Sequence, residues 1–356
     1  MKGSKGDCTI LKPSLMCAVP LVIDRIYKGI QEKVSKKGPF MKRLLEFCYR
    51  YKSYYKKRGM NTPILDRLIF KNMRAIVGGR IRLLLSGGAP LSPDTHDFVR
   101  CALGLPLVQG YGLTESCACG TIMDSDDWSL GAAGPPLQGV MIKLINWDEG
   151  NYTVNDEPNP RGEIVLGGGN VATEYFRLPG KTKEDFYRDE HGRRWFRTGD
   201  IGEFGPYGTL KIIDRKKDLV KLHHGEYVSL GKVESLLKTC PIIENICVYG
   251  DPTKAHCVCL VVPDRNKLTE MAEKLNMGTL SFEEMCGNKT IAAQVLNEIS
   301  AYGRKVKLER FEIPGAVTLC SELWTPESGL VTAAFKLKRK PIQDYYQKEL
   351  KQMYER

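Results

Sequence analysis

Two short apolar runs constrain the fold of this 356-residue chain more than any other feature, because each leads directly into a glycine-containing turn. They occupy residues 83–85 and 105–108, and a segment of helix length separates them. Ser92 and Pro93 are residue types that cap and open a helix, and Gly104 is the type that follows its last turn. Two strands joined by a helix form a βαβ unit, whose ligands bind where the strands end. The sequence therefore predicts an α/β sheet with a binding site at these two turns.

The turn after the second run carries side chains that suit a nucleotide. Tyr111 offers an aromatic face for a base, Thr114 a hydroxyl for a phosphate, and Glu115 a carboxylate for a magnesium ion. Gly110 and Gly112 allow the backbone to turn sharply and to lie close to a ligand. For these residues alone, the plain alternative is an ordinary strand-to-turn segment with a solvated glutamate.

Six further motifs follow in order along the chain. They are residues 162–165 (GEIV), 195–200 (WFRTGD), 213–221 (IDRKKDLVK), 225–234 (GEYVSLGKVE), 324–327 (WTPE) and 335–339 (FKLKR). Together with the two turns they resemble the adenylate-forming, AMP-binding superfamily, and residues 225–234 resemble its long-chain acyl-CoA synthetase branch. The resemblance implies an enzyme that activates a long-chain fatty acid with ATP, giving acyl-adenylate and then acyl-CoA. It implies ATP/AMP and Mg²⁺ at the site and CoA as co-substrate.

The same resemblance implies a role for individual residues. Tyr111 would stack near adenine, Thr114 would hydrogen-bond the α-phosphate, and Glu115 would ligate Mg²⁺. Asp200 would accept both ribose hydroxyls, and Arg215 would also reach the ribose. The plain alternatives are an Asx-turn at Asp200 and a surface ion pair at Arg215. The remaining implied nucleotide-binding residues are Gly88, Ala89, Pro90, Gln109, Gly110 and Gly112.

The resemblance of the C-terminal motifs implies a catalytic lysine, a hinge residue and a loop that admits CoA. Lys336 resembles the lysine that contacts the carboxylate and the α-phosphate, and it would offset charge that builds up in the transition state. Lys338 is the alternative, because Phe335 stands where the family usually has glycine. Asp214 resembles the hinge residue, and Gly225 the loop that admits CoA. The implied catalytic residues are Lys336, Thr114 and Glu115.

The expected fold class is α/β, with part of an adenylate-forming N-terminal domain followed by a small α/β lid domain. Residues 1–213 would be the C-terminal part of the large AMP-binding domain, made of the βαβ core and a β-rich subdomain at about 131–213. Short strands separated by glycine and proline indicate that subdomain. Residues 214–219 would form the hinge, and residues 220–356 the lid.

The sequence lacks the Ser/Thr/Gly-rich phosphate loop ending in lysine that such enzymes carry. Residues 167–170 (GGGN) are glycine-rich but have no lysine. The chain is therefore expected to represent the C-terminal part of the family's architecture, and to make acyl-CoA poorly or not at all by itself. The alternatives are another adenylate-forming ligase, such as a luciferase-like or aryl-CoA ligase, and a non-catalytic nucleotide-binding or interaction fragment.

The net charge of +11 is concentrated in one segment. Residues 28–58 contain eleven Lys or Arg against two Glu, a net +9, with apolar side chains at helical spacing. The plain interpretation is a solvated basic helix face, and the sharper one is contact with an anionic membrane surface. No zinc-finger or helix-turn-helix pattern supports a nucleic-acid partner.

The sequence also gives expectations about the cellular compartment of the protein. No apolar run approaches the length of a membrane span, and the twelve cysteines, which lack zinc spacing, fit a reducing compartment. With the resemblance, these features predict the cytosolic face of intracellular membranes, most simply the endoplasmic reticulum.

Overall fold

The structure is a computed structural model that describes residues 6–355. The chain divides into two units, Met1–Ile213 and Asp214–Arg356.

The first sheet of the first unit contains the predicted βαβ unit. Its four strands lie in the order β1 (Leu15–Ala18), β2 (Leu83–Gly87), β3 (Leu107–Tyr111) and β4 (Thr121–Ile122). Strands β1, β2 and β3 are parallel, whereas β4 is antiparallel to β3. Gly87 pairs with Gly110, so the two glycine turns leave the sheet side by side at its carboxyl edge. The predicted α/β unit is therefore confirmed.

Helices cover this sheet. They are α1 (Asp7–Leu11), α2 (Pro20–Ser35), α3 (Pro39–Lys56), α4 (Pro63–Leu65), α5 (Lys71–Arg74) and α6 (Pro93–Leu103). The Ser92 side chain caps α6 by accepting the Thr95 N–H at 3.1 Å, and Gly104 ends it with φ +62°. Side chains from α2, α3 and α6 pack with β2 and β3 around the fully buried Phe70. Residues 64–77 have the apolar spacing of one helix, but the structure divides them into α4, a π-helical turn, α5 and a 3-10 turn.

A second, antiparallel sheet completes the first unit. Its strands are β5 (Val140–Ile145), β6 (Arg161–Gly168), β7 (Phe186–Arg188), β8 (Arg194–Phe204) and β9 (Leu210–Arg215), and α7 (Pro179–Asp185) precedes β7. Buried Ile164, Leu166 and Phe196 form the centre of its core. Strand β9 continues to Arg215, two residues beyond position 213, where the β-rich subdomain was expected to end.

The second unit has a two-stranded ribbon and a three-stranded sheet. The strands are β10 (Leu219–Lys221), β11 (Tyr227–Ser229), β12 (Ile243–Tyr249), β13 (Val258–Pro263) and β14 (Val317–Leu319). The helices are α8 (Leu230–Leu237), α9 (Arg265–Lys274), α10 (Phe282–Gly287), α11 (Lys289–Lys305), α12 (Arg339–Tyr345) and α13 (Gln347–Tyr354). Alternate residues of β13 face opposite cores: Cys259 and Val261 belong to the core with α8 and α11, and Leu260 to the core with α12 and α13.

Two further properties concern residues 6–355 as a whole. No helix in this range is long and apolar enough to cross a membrane. No group of three or more His, Cys, Asp or Glu side chains in the same range is arranged to hold a metal ion. Cys257, just before β13, and Cys259, within it, are fully buried, and burial raises the pKa of both thiols.

Candidate functional site

A hydrogen bond joins two of the sequence motifs. Tyr111 ends β3 and Asp200 lies on β8, and the Tyr111 hydroxyl donates to Asp200 Oδ2 at 2.7 Å. Asp200 is only 3% exposed, and its backbone N–H donates to Thr198 Oγ1 at 3.0 Å. An aromatic ring and a carboxylate, 89 residues apart in the chain, are therefore held together between the two sheets of the first unit.

Glu115 lies in a 3-10 turn, Thr114–Ser116, that follows β3. Its Oε1 accepts the Tyr175 hydroxyl at 2.6 Å, and the Tyr175 ring packs edge-on against Phe186 at 5.2 Å between centroids. Burial and the neighbouring carboxylate raise the pKa of Tyr175, so this hydroxyl stays protonated as a donor. Thr114, the first residue of the turn, is exposed. Tyr175 was not identified from the sequence.

Residues in and just after the glycine-rich run 167–170 donate hydrogen bonds to the turn that contains Glu115. The Asn170 side-chain amide donates to Ser116 O at 3.1 Å and to Cys119 O at 3.2 Å. The Ala172 N–H donates to Glu115 O at 2.8 Å. Carbonyl groups of the turn are thereby satisfied by a segment more than fifty residues away. Asn170 was also missed from the sequence, since nothing local to either segment indicates the contact.

Close backbone approach explains why glycine occupies the second turn. A Cβ at Gly112 would lie 2.1 Å from Ala118 O, and one at Gly110 would lie 3.1 Å from Thr121 O. In the first turn Gly88 has φ +83°, and Ala89 and Pro90 follow it at the exposed carboxyl edge of the sheet. The backbone path at both turns thus depends on the absence of a side chain.

The side chain of Gln109 is engaged in the interior. Its amide donates to His96 Nδ1 at 3.2 Å and to Ala132 O at 3.4 Å. His96 Nε2 in turn donates to Leu107 O at 2.6 Å, which fixes the tautomer in which Nδ1 accepts. Gln109 therefore contributes its backbone, opposite Ser86 in the sheet, to the edge where the turns meet.

In the second unit, Asp214 is anchored by its side chain. Its carboxylate accepts the Ser229 hydroxyl at 2.6 Å and the N–H groups of Gly231 at 3.0 Å and Arg215 at 2.8 Å. Burial raises the pKa of Asp214, although these three donors oppose the shift. Arg215 itself is exposed, and the nearby Asp218 pairs with Arg339 at 2.7 Å.

Lys336 lies in a tight turn that precedes α12. Phe335 has φ +57°, the left-handed conformation that favours glycine, and this is the position where the resembled family has glycine. The Lys336 side chain is exposed, and the Lys336 backbone N–H donates to Thr332 Oγ1 at 3.1 Å. Lys338 directly precedes α12 and is also exposed. Gly225 occupies the exposed turn between β10 and β11 with φ +94°.

Sequence comparison with known proteins identifies the same family that the motifs resemble. Residues 4–176 match the family described as AMP-binding enzyme. Long chain acyl-CoA synthetase 8 of Arabidopsis thaliana is 47% identical over 359 residues, which cover 99% of this chain and 50% of that protein. Long-chain-fatty-acid–CoA ligase 1 of Schizosaccharomyces pombe is 37% identical over 358 residues, which cover 99% of this chain and 52% of that protein.

Solved structures share the fold. The adenylation domain of a carboxylate reductase from Mycobacterium chelonae has a TM-score of 0.77 at 25% identity, covering 98% of this chain and 48% of that one. The A domain of carboxylic acid reductase from Segniliparus rugosus, in complex with AMP and a co-purified carboxylic acid, has a TM-score of 0.76 at 25% identity with the same coverage. The chain spans about half the length of its curated relatives. It belongs to the AMP-binding, adenylate-forming family, in which its sequence relatives include long-chain acyl-CoA synthetases.

Proposed function

We propose that this chain carries nucleotide-site residues and the lid of a long-chain fatty-acid–CoA ligase. Such an enzyme joins a fatty-acid carboxylate to the α-phosphate of ATP, releasing pyrophosphate, and then transfers the acyl group to CoA, releasing AMP. The observation that carries the proposal is the hydrogen bond between Tyr111 and Asp200. It joins two separate family motifs close to Glu115 and to the two glycine turns, which lie side by side in the sheet. The ligase activity of the named relatives adds independent support.

In the proposed site, recognition of the nucleoside falls to the first unit. Tyr111 provides a flat ring for adenine, and backbone groups of the exposed turn at Gly88, Ala89 and Pro90 line the edge of the base. Asp200 accepts the ribose hydroxyls, since a carboxylate has paired oxygens for two donors. The hydrogen bond from Tyr111 keeps that carboxylate oriented before the nucleotide arrives.

The phosphates would be held by Thr114 and, through a magnesium ion, by Glu115. Mg²⁺ in nucleotide sites is commonly bound by one or two carboxylates together with phosphate oxygens, so a single carboxylate such as Glu115 fits that donor set. When bound, the ion would neutralise charge on the phosphoryl oxygens. Tyr175 holds one oxygen of Glu115 by its hydrogen bond and leaves the carboxylate its remaining lone pairs for a ligand.

The second unit would complete each half-reaction. Lys336 supplies a cation that offsets the charge building up at the α-phosphate during adenylation. Arg215 reaches the ribose, and the turn at Gly225 admits CoA for the second step. We propose residues 214–219 as the hinge, with Asp214 as its pivot, between the AMP-binding part at 1–213 and the lid at 220–356.

We also propose that the ligase works at the cytosolic face of an intracellular membrane, with the endoplasmic reticulum as the first candidate. Its substrate class supports this location, because long-chain fatty acids partition into lipid bilayers. Two relatives are named as peroxisomal proteins, so localisation of the complete protein would be measured against both compartments.

The nucleotide site is tested by calorimetry with AMP and with ATP, each with and without Mg²⁺. Asp200→Asn should weaken binding of both nucleotides about 10- to 100-fold, because it removes charge-assisted hydrogen bonds. Glu115→Gln should weaken only the Mg²⁺-dependent part of ATP binding. Asp126→Ala, at an exposed carboxylate, is the matched control and should leave both affinities unchanged. Wild-type affinity for AMP in folded Asp200→Asn would remove Asp200 from the site.

A further inference from the structure

Helix α3, Pro39–Lys56, presents a row of large side chains to solvent. Phe40, Phe47, Tyr51 and Tyr54 are 76%, 67%, 44% and 52% exposed. They are spaced by seven, four and three residues, so they lie on one face of the helix. We call these four side chains the aromatic stripe. An isolated exposed aromatic residue is common, but four along one helix face form a continuous feature.

The opposite face of α3 fixes the helix to the first unit. Lys52 is fully buried and donates to Cys101 O at 2.6 Å, and it also pairs with Asp66. The hydroxyls of Tyr49 and Ser53 both donate to Asp97 Oδ2 at 2.8 Å. Because this inner face is bonded at several points, the aromatic stripe is carried by an anchored helix.

Ring contacts make the outer surface continuous. The Phe47 and Tyr51 rings lie 6.4 Å apart, and the Tyr51 and Tyr55 rings lie 4.5 Å apart. Beyond the helix, the Arg58 guanidinium lies 3.5 Å from the Tyr54 ring centroid. The apolar surface therefore ends in a cation rather than in an acidic group.

Basic residues surround the aromatic stripe. Lys37 and Arg43 are exposed at its N-terminal end, and the whole segment 28–58 carries a net +9. Three of the basic residues form ion pairs: Lys36 with Glu32, Arg50 with Glu46, and Lys57 with Asp97. Acidic side chains therefore offset only part of the positive charge. The surface thus combines aromatic rings with excess positive charge.

An open depression of about 470 Å³ adjoins α3. It is lined by Asn61, Pro63, Asp66, Arg67, Lys71 and Arg74, three cations against one carboxylate. Lys56 on α3 donates to Asn61 Oδ1 at 2.5 Å, which joins this depression to the helix. Ile64 and Leu68, in the same segment, are 73% and 69% exposed. Apolar and basic groups therefore continue beyond α3.

We propose that the aromatic stripe and its basic surroundings dock the chain on an anionic lipid bilayer. Aromatic side chains favour the depth of the lipid headgroups, and Lys and Arg are attracted to anionic lipids. A second copy of the chain is the poorer occupant, because a two-fold contact would bring the +9 segments against each other. The inference rests on this surface alone and is independent of the proposed activity.

The test is flotation with two kinds of vesicle, phosphatidylcholine alone and phosphatidylcholine mixed with phosphatidylserine. The wild-type chain should bind the mixed vesicles, and high salt should reduce that binding. Phe40→Ser combined with Phe47→Ser should lower the affinity for the mixed vesicles roughly tenfold or more, because two aromatic groups that the bilayer would bury are lost. Lys37→Glu with Arg43→Glu should abolish the preference for phosphatidylserine. Phe176→Ser, at a residue 83% exposed outside this surface, is the matched control and should bind as wild type.

Thermal melting of each variant verifies that it is folded. Equal binding to both kinds of vesicle, or no binding to either, would overturn the proposal. So would an equal loss in Phe176→Ser. A concentration-dependent dimer that Phe40→Ser and Phe47→Ser disrupt, without vesicle binding by the wild type, would assign the surface to a second copy of the chain instead.

Discussion

Among single residues, His96 illustrates how burial fixes a charge state beside the candidate site. It lies fully buried on α6, donates from Nε2 to Leu107 O at 2.6 Å and accepts the Gln109 amide at Nδ1. Burial, with a smaller contribution from Arg100, lowers its pKa to about 4. The neutral ring can make both bonds, whereas a protonated ring has no lone pair for Gln109.

This pKa predicts a pH dependence of stability. The unfolded histidine has a pKa of about 6.5, so its folded-state pKa is depressed. The neutral His96 ring therefore contributes fully to the free energy of unfolding above pH 6.5. As the pH falls towards 4 this contribution is lost, and the total loss is about 3 kcal/mol. Denaturant unfolding across this range should therefore show a steeper loss for wild type than for His96→Gln. Parallel profiles for the two proteins would contradict the assignment.

Residue identities at the site were only partly predictable. Tyr111, Glu115 and Asp200 stand in recognisable motifs, so the sequence could nominate them before any contact was known. Tyr175 and Asn170 act through partners 54 to 60 residues away, and such pairing depends on how the two sheets of the first unit pack. Gln109 was nominated through its motif, but its side chain bonds to a histidine in a separate helix.

At the scale of elements, one buried ion cluster organises the second unit. Arg339 begins α12, and its two terminal nitrogens each meet a Glu234 oxygen at 2.8 Å. Its Nε pairs with Asp218 at 2.7 Å, and Nη1 also donates to Val248 O at 3.2 Å. The cluster therefore joins α12, which follows the Lys336 turn, to α8 and to the segment proposed as the hinge.

Breaking this cluster should be costly. Arg339→Met leaves the buried Glu234 carboxylate and the half-buried Asp218 carboxylate without their cation, which should lower the free energy of unfolding by about 3–5 kcal/mol. Arg339→Lys keeps the charge but loses the paired geometry and should be intermediate. Lys340→Met removes an exposed pair with Asp344 and should be nearly neutral. Denaturant unfolding compares the three, and a cost for Arg339→Met no larger than for Lys340→Met would contradict the prediction.

Regular elements were predictable where residue types determine them locally. The caps at Ser92 and Gly104 define α6, and an uninterrupted apolar run at residues 257–262 indicates β13, which is buried along its whole length. The segment 64–77 was less predictable, because a helical pattern does not reveal a π-helical turn. Asp66 at the start of that turn bonds Lys52 and Arg74, so tertiary contacts accompany the irregularity.

For the whole molecule, Asp214 lies at the division between the two units. Its carboxylate accepts hydrogen bonds from Ser229 and Gly231 in the second unit, while its backbone is part of β9. The order of motifs along the chain was sufficient to predict the family fold. The anchoring of Asp214 was not predictable, because its partners lie 15 and 17 residues further along the chain.

The proposed hinge predicts opposite effects on the two half-reactions in a complete ligase that contains this chain. Asp214→Pro fixes φ near −65° and should slow thioester formation roughly tenfold more than adenylate formation, since only the former requires the rotated lid. Asp214→Asn is the matched control, because it keeps an acceptor for Ser229 and leaves φ unrestricted. Lys336→Ala should slow adenylation about 10²- to 10³-fold and spare thiolation of a supplied acyl-adenylate.

Each half-reaction is measured separately, with pyrophosphate release for the first step and acyl-CoA formation from added acyl-adenylate for the second. Equal damage to both steps by Asp214→Pro would refute the pivot, and equal damage by Asp214→Asn would trace the effect to the lost side-chain bonds. The positive φ of Phe335 favours Lys336 over Lys338, because the family's glycine suits that backbone conformation. If Lys336→Ala leaves adenylation intact while Lys338→Ala impairs it, Lys338 carries the catalytic charge.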